Sequence, residues 1–283
     1  MPLKFLHQQL AAPLTQTLGV TLAEQELADC LKTVEIREPQ TTKLFWGALD
    51  AEPGIYMVLT GKVRLLDTSN NLIATFSSTG SFGEITLFPE AEFHPYTARA
   101  STNLRLCYVK ANLLYNLMDK YPSIREHLYH QAEIWDLLLL YVQNCPFPRI
   151  IGVERMLKVL SVFQRHNLEI GSVPIKFTQD SKLWLLRHGE LLNSDGRILT
   201  PGRIYAPLPL EYPNKRRRNT REESWQVIKP TIVYSLSYFD WQTALDHLPQ
   251  LPELITFGAI YNSDEEDEEF IISVIKNNAL LLC

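Results

Sequence analysis

Few side chains in this 283-residue chain stand at spacings that support chemistry. Phe82 and Gly83 end the loop Thr79-Gly80-Ser81-Phe82-Gly83, whose glycines permit positive φ, and Glu84 follows at once. Pro95-Tyr96-Thr97-Ala98 comes twelve residues after Gly83. Taken as a plain turn, this stretch leaves Glu84 a solvated carboxylate. Lys215, Arg216, Arg217 and Arg218, with Arg221 close by, form a cationic run that Glu222 and Glu223 neutralise only in part. Such a run is either a solvated loop or a contact for an acidic partner. His127, His130 and Glu133 fall at i, i+3 and i+6 of one predicted helix, a spread that does not close a metal site from that helix alone. Cys30, Cys107, Cys145 and Cys283 lie far apart with no CxxC, which fits reduced thiols better than a disulfide framework or zinc. No GxSxG or GxxxxGK[ST] occurs, so no catalytic residue, metal or cofactor is expected.

The elements that must position these residues follow from period and punctuation. Leu22, Leu27, Leu31 and Val34 stand near helical spacing, with Glu24 and Glu26 where a helix dipole favours acids, and predict a helix over 22–36. Beyond Pro39 the texture turns to short β-rich runs at 43–46, 55–59, 62–66, 72–76 and 104–109, with a hairpin connection at 67–71. Helices are predicted at 110–120 and 123–142. The second carries the apolar stripe Ile124, Leu128, Trp135, Leu138 and Val142, with Ser123 and Glu126 placed as a capping box. Asn144-Cys145-Pro146 stops it.

The second half echoes the first. Tyr56 to Val63 aligns without gaps on Trp184 to Leu191 at an offset of 128, bringing Gly61 onto Gly189. Leu104 to Pro122 aligns on Thr231 to Pro249 at an offset of 127. Two anchors some fifty residues apart that keep their spacing predict a duplication. Where the first half has the Gly83-Glu84 stretch, 80–100, the second has 207–227 with the basic run. The expected domains are therefore 1–145, 146–260 and an acidic tail or linker at 261–283.

Phe82-Gly83-Glu84-Ile85-Thr86-Leu87, placed after Gly61 and followed by Pro95-Tyr96-Thr97-Ala98, resembles the phosphate-binding cassette of the cyclic nucleotide-binding domain, over most of residues 20–143. The resemblance implies a mainly β fold with flanking α-helices: two tandem β-barrels of the double-stranded β-helix or jelly-roll type. It also implies roles. The glycine would open backbone N–H groups to the ligand, the glutamate would accept from the ribose 2′-hydroxyl, and an arginine before a small residue would clamp the cyclic phosphate. Here Gly83, Glu84 and Thr97 match, but Tyr96 stands at the arginine's position. A phosphate in a barrel needs convergent donors and a guanidinium, so this departure implies weak cyclic nucleotide binding or none. Arg99 is no substitute, because strand alternation turns it to the opposite face from Tyr96.

The stretches GKVRLLDTSNNLIATFSSTGSFGEITLFPE, IWDLLLL, FQRHNLEIG and LWLLRHGELLNSDGR also resemble the N-terminal cytoplasmic region of cyanobacterial peptidase-containing ABC exporters of the heterocyst-related type. That implies a non-catalytic regulatory, sensor or interaction module whose partners are exporter domains in cis or in trans. Charge fits a modular reading. Residues 1–145 carry 11 basic and 15 acidic side chains, 146–263 carry 15 and 11, and 264–283 carry one Lys and six acids. A net charge of −5 argues against a nucleic-acid partner. With no long apolar run and no signal-like N-terminus, a cytoplasmic location is expected, at the inner membrane face if an exporter is the partner. Membrane contact would be indirect or through the basic run, and the helix at 123–142 is a candidate homodimer seam. The alternative is a Crp/Fnr-like transcription regulator, a sensor domain followed by a DNA-binding second half with a helix-turn-helix near 156–200.

Overall fold

The computed structural model describes residues 3–77, 80–144, 153–171, 175–176, 181–193, 196, 198–199, 201–202, 204–205, 224–249 and 251. The basic run at 215–218 and the acidic tail lie outside them. The chain divides into two compact units, Met1–Leu139 and Leu140–Cys283.

The first unit opens with α1 (Leu3–Leu18) and α2 (Glu24–Thr33). α1 is an element that composition did not suggest. Leu10, Leu14 and Leu18, four apart and each at most 1% exposed, give it a single buried stripe. Strands β1 (Glu35–Arg37), β2 (Leu44–Gly47), β3 (Gly54–Thr60), β4 (Val63–Leu66), β5 (Leu72–Phe76), β6 (Ser81–Phe82), β7 (Thr97–Ala100) and β8 (Arg105–Lys110) follow, then α3 (Ala111–Lys120) and α4 (Pro122–Asn144). α4 begins with Pro122 at its first position rather than with Ser123 as cap, a place where proline's missing N–H is harmless.

The expected closed barrel is not what forms. The strands make two separate antiparallel sheets, ordered β1-β8-β3-β6 and β2-β7-β4-β5, and among the described residues no ladder joins them. Side chains bridge them instead. Phe82 and Tyr56 of the first sheet meet Trp46 of the second at ring separations of 5.3 and 6.1 Å, which is the layer of a β-sandwich. Alternation fills that layer: Val63, Leu65, Ala98 and Ala100 are fully buried between outward-facing neighbours.

The second unit holds α5 (Val153–Leu160), β9 (Gln164–Leu168), β10 (Ile175–Lys176), β11 (Ser181–Asn193), β12 (Ile198–Leu199), β13 (Ile204–Tyr205), β14 (Ser224–Ser237) and α6 (Tyr238–His247). Its described strands form one six-stranded antiparallel sheet around Trp184, Leu186, Leu191, Trp225, Val227 and Val233. α6 is capped by the Ser237 hydroxyl, which accepts from the Asp240 N–H at 3.0 Å. Strands occupy the region where a helix-turn-helix would need its recognition helix.

Register runs in parallel through the two units. Tyr56, Met57 and Val58 face Tyr108, Cys107 and Leu106, while Trp184, Leu185 and Leu186 face Ser235, Tyr234 and Val233. Offsets of 128 and 127 turn one set into the other. Val63, Arg64 and Leu65 opposite Ala100, Arg99 and Ala98 are echoed by Leu191, Leu192 and Asn193 opposite Val227, Gln226 and Trp225. Gly61 and Gly189 have φ of 87° and 89°, and a Cβ on either would meet a downstream carbonyl, Asn103 O at 2.3 Å or Pro230 O at 2.4 Å. Each glycine lets its chain cross at the same place.

Candidate functional site: a filled cradle in the first unit

Gly83 sits at φ 103°, and a Cβ there would come within 2.5 Å of Gly54 O, so only glycine lets the chain turn here against β3. A 3₁₀ turn, Glu84–Leu87, follows and is pinned by Thr86. The Thr86 hydroxyl donates to Gly83 O at 2.7 Å and accepts from the Gly54 N–H at 3.0 Å. The Gly83 N–H is a donor that the strand ladder does not use.

That donor is already taken. The Gly83 N–H donates to Tyr96 Oη at 2.9 Å in a buried hydrogen bond, and Tyr96 itself is 1% exposed. Tyr96 is wedged among Trp46, at 5.1 Å between ring centroids, and Trp135 of α4, at 6.3 Å. Trp135 also reaches Phe76, at 5.8 Å. Burial, reinforced by the neighbouring Glu84 charge, pushes the phenol pKa well above its ordinary value, so Tyr96 is a neutral hydroxyl.

Glu84 is fully buried. Its Oε1 accepts from the Ser81 hydroxyl at 2.6 Å, whereas Oε2 is buried with no hydrogen-bond partner. It is therefore not the solvated carboxylate of a plain turn. Desolvation raises its pKa and the Ser81 hydrogen bond opposes that only in part. Phe82 is core: it stacks on Tyr56 at 5.2 Å and is fully buried. Thr97 begins β7 opposite Leu66 and points its hydroxyl at Leu66 O, 3.5 Å away. Thus Phe82, Gly83, Glu84 and Tyr96 converge and Thr97 stands at the margin. Arg99, flanked by the fully buried Ala98 and Ala100, belongs to the other face, as alternation requires.

One pair went unseen in the sequence. Asp136, fully buried on α4, accepts from the His94 backbone N–H at 2.8 Å and lies 2.7 Å from His94 Nδ1. With Tyr129 against Phe88 and Phe93 at 5.0 and 5.5 Å, this fastens the loop 83–96 to α4. The signal was an acid inside the apolar run 134–140, since a buried carboxylate requires donors. Residues 134–140 are all buried. His127 packs beside Gly19, His130 faces Glu133 at 3.6 Å, and no metal-holding group of three or more side chains occurs among the described residues.

Comparison with known proteins meets this geometry at one point. Residues 44–121 match the family model of the cyclic nucleotide-binding domain. The match runs from β2 to the end of α3 and takes in the whole loop 83–96, which supports a cyclic nucleotide-binding type of domain in the first unit. No curated protein matches the chain in sequence. Among solved structures, the chain is similar to cAMP-bound PfPKA-R (141-441), with 14% identity, TM-score 0.41, and coverage of 88% of this chain and 86% of that one. It is also similar to the regulatory domain of Toxoplasma gondii PKA with cAMP, with 14% identity, TM-score 0.39, and coverage of 90% and 97%. The regulatory subunit of a cAMP-independent protein kinase A from Trypanosoma brucei gives 13%, 0.39, and 96% of each chain.

Proposed function

We propose that this protein is a non-catalytic regulatory or interaction module whose first unit keeps the cyclic nucleotide-binding frame but occupies its phosphate cradle with its own Tyr96. The observation that carries the reading is the buried hydrogen bond from the Gly83 N–H to Tyr96 Oη. A cyclic phosphate would have to break that bond, displace a ring packed between two tryptophans, and enter without a guanidinium beside the desolvated Glu84. Binding of cAMP or cGMP is accordingly weak or absent, with a dissociation constant above roughly 100 µM, equivalent to less than about 5.5 kcal/mol. Isothermal titration calorimetry tests this on the full chain. A micromolar constant for either nucleotide, lost in Glu84→Ala, overturns it.

The second unit is, in this reading, a degenerate tandem copy. Its support is the shared register of the strands and the matched crossings at Gly61 and Gly189. That register sets Ile204 and Tyr205 of β13 opposite Leu185 and Trp184, as Ser81 and Phe82 stand opposite Met57 and Tyr56. Ala206-Pro207 then follows where the first unit has Gly83-Glu84, and the basic run falls within the replacement for the cradle loop.

Association with an ABC-type peptide exporter, in cis or in trans at the inner membrane face, rests on the stretches quoted above. The fastening of loop 83–96 to α4 gives such a partner a route: engagement at the loop changes how α4 packs on the sandwich. No helix among the described residues is long and apolar enough to cross a membrane. Affinity capture of the full chain from its own cells, with the exporter identified by mass spectrometry, tests this part. Capture at equal yield by a chain lacking 80–96 would refute the route.

A further inference from the structure

We propose that the outer face of the sheet β2-β7-β4-β5 is a docking surface for an acidic peptide segment of a partner protein, held by Arg64 and Arg99. The two arginines are direct cross-strand partners on β4 and β7. Val63, Leu65, Ala98 and Ala100 beside them are fully buried, so both side chains leave on the outer face. Like charges directly opposite one another destabilise a sheet. Elsewhere in this unit arginines are neutralised: Arg37 by Glu35 and Glu52, Arg105 by Glu38, Arg125 by Glu90. Arg64 and Arg99 have no carboxylate within ion-pair reach among the described residues, and Arg99 Nε is buried without a hydrogen-bond partner. Exposed Lys62, two residues before Arg64, extends the positive row.

The frame does not demand this pair. At the same register the second unit sets Leu192 opposite Gln226. The cations are thus particular to the first unit, on a face away from the cradle, and the proposal does not rest on the filled-cradle reading.

The shape selects the ligand. Cross-strand neighbours stand about 5 Å apart at Cα on an open sheet face, which suits successive carboxylates on a peptide better than one small enclosed anion. Guanidinium forks pair with carboxylates two bonds at a time. Continuing the row, Thr75 faces Arg64, and Leu44, 53% exposed, faces Arg99. An acidic run with an apolar residue at its end therefore matches the row in both charge and polarity.

The peptide NSDEEDEEFI, copied from residues 262–271, has that chemistry and serves as probe. It is labelled and titrated by fluorescence anisotropy into the full chain whose own six acids at 264–269 are replaced by Ser, at low and at physiological salt. Binding should weaken with salt, and Arg64→Ser with Arg99→Ser should weaken it about tenfold at low salt, while changing 215–218 to Ser leaves it unaltered. The charge-reversed pair, Arg64→Glu with Arg99→Glu, should instead take up NSKKKKKKFI, which guards against a variant that has merely misfolded. No peptide binding, or loss only when 215–218 is changed, overturns the proposal. So does a short DNA duplex or anionic vesicles binding through the same arginines more tightly than the peptide.

Discussion

The two units pair their central strands in parallel registers, and their sequences part company at one loop. In the first, fourteen residues separate β6 from β7, and they fold into a turn, pinned by Thr86, that ends on Tyr96 and is fastened to α4 through His94 and Asp136. In the second, eighteen residues separate β13 from β14, with no Gly-Glu and a run of four cations. Register is tightly held because every strand pair depends on it: a one-residue slip would turn Trp184 and Leu186 away from the core. A ligand loop carries no such burden. In the first unit Tyr96 satisfies the Gly83 N–H from within the chain.

The largest effect tests the shared skeleton. Gly61→Ala and Gly189→Ala should each cost about 3 kcal/mol, because both combine positive φ with a Cβ driven into a carbonyl. Urea unfolding followed by hydrogen exchange of each unit's own amides would read the two losses separately. A loss in one unit alone breaks the comparison.

Next comes the fastening of loop 83–96 in the first unit. Asp136→Ala leaves the His94 N–H without its acceptor and should cost about 2–3 kcal/mol, confined to the first unit. Equal loosening of α5 or α6 in the exchange data would contradict that confinement. Tyr96→Phe removes one buried acceptor and should cost about 1–2 kcal/mol by the same denaturation measurement. An unchanged midpoint would mean that the bond stabilises nothing.

The smallest effects are pH slopes of opposite sign. Glu84 has a raised folded pKa, so it binds its proton more tightly folded than unfolded. Its contribution to stability is complete below the ordinary carboxylate value and is lost as pH rises through the raised one. His166, in the second unit 2.7 Å from the Ser235 hydroxyl, has a pKa lowered by burial. Its contribution is complete above the ordinary histidine value and is lost as pH falls through the lowered one. Glu84→Gln should flatten the first slope and His166→Gln the second, in thermal melts from pH 4 to 8. Were each substitution to leave its slope intact, other groups would set the pH dependence.

Much of the skeleton was legible beforehand because it is written in local pattern. The predicted run 55–59 is β3, 110–120 is α3 within one residue, and 123–142 is α4 to within two. The offset of 128 sets Gly61 against Gly189, and both glycines have positive φ beside a downstream carbonyl. What stayed hidden depends on contacts far apart in sequence. Nothing near His94 announces Asp136, 42 residues on, and an open sandwich differs from a closed barrel only in which edges pair. By register Ile204 stands opposite Leu185 as Ser81 stands opposite Met57, four residues short of 208, where setting 80–100 against 207–227 puts it, because fewer residues separate the paired strands after β11 than after β4. The departure at Tyr96 was visible as a missing arginine. That its phenol accepts from the Gly83 N–H required the distance between them.

That bond can be watched directly. In ¹⁵N-resolved hydrogen exchange of the ligand-free full chain, the Gly83 amide should exchange slowly. Tyr96→Phe should quicken it about tenfold, the equivalent of 1.4 kcal/mol, while core amides of β3 and β8 barely change. Added cAMP at a concentration well below 100 µM should alter neither rate. A Gly83 amide that exchanges at loop rates in the wild-type chain and becomes protected only with nucleotide would contradict the account at its centre.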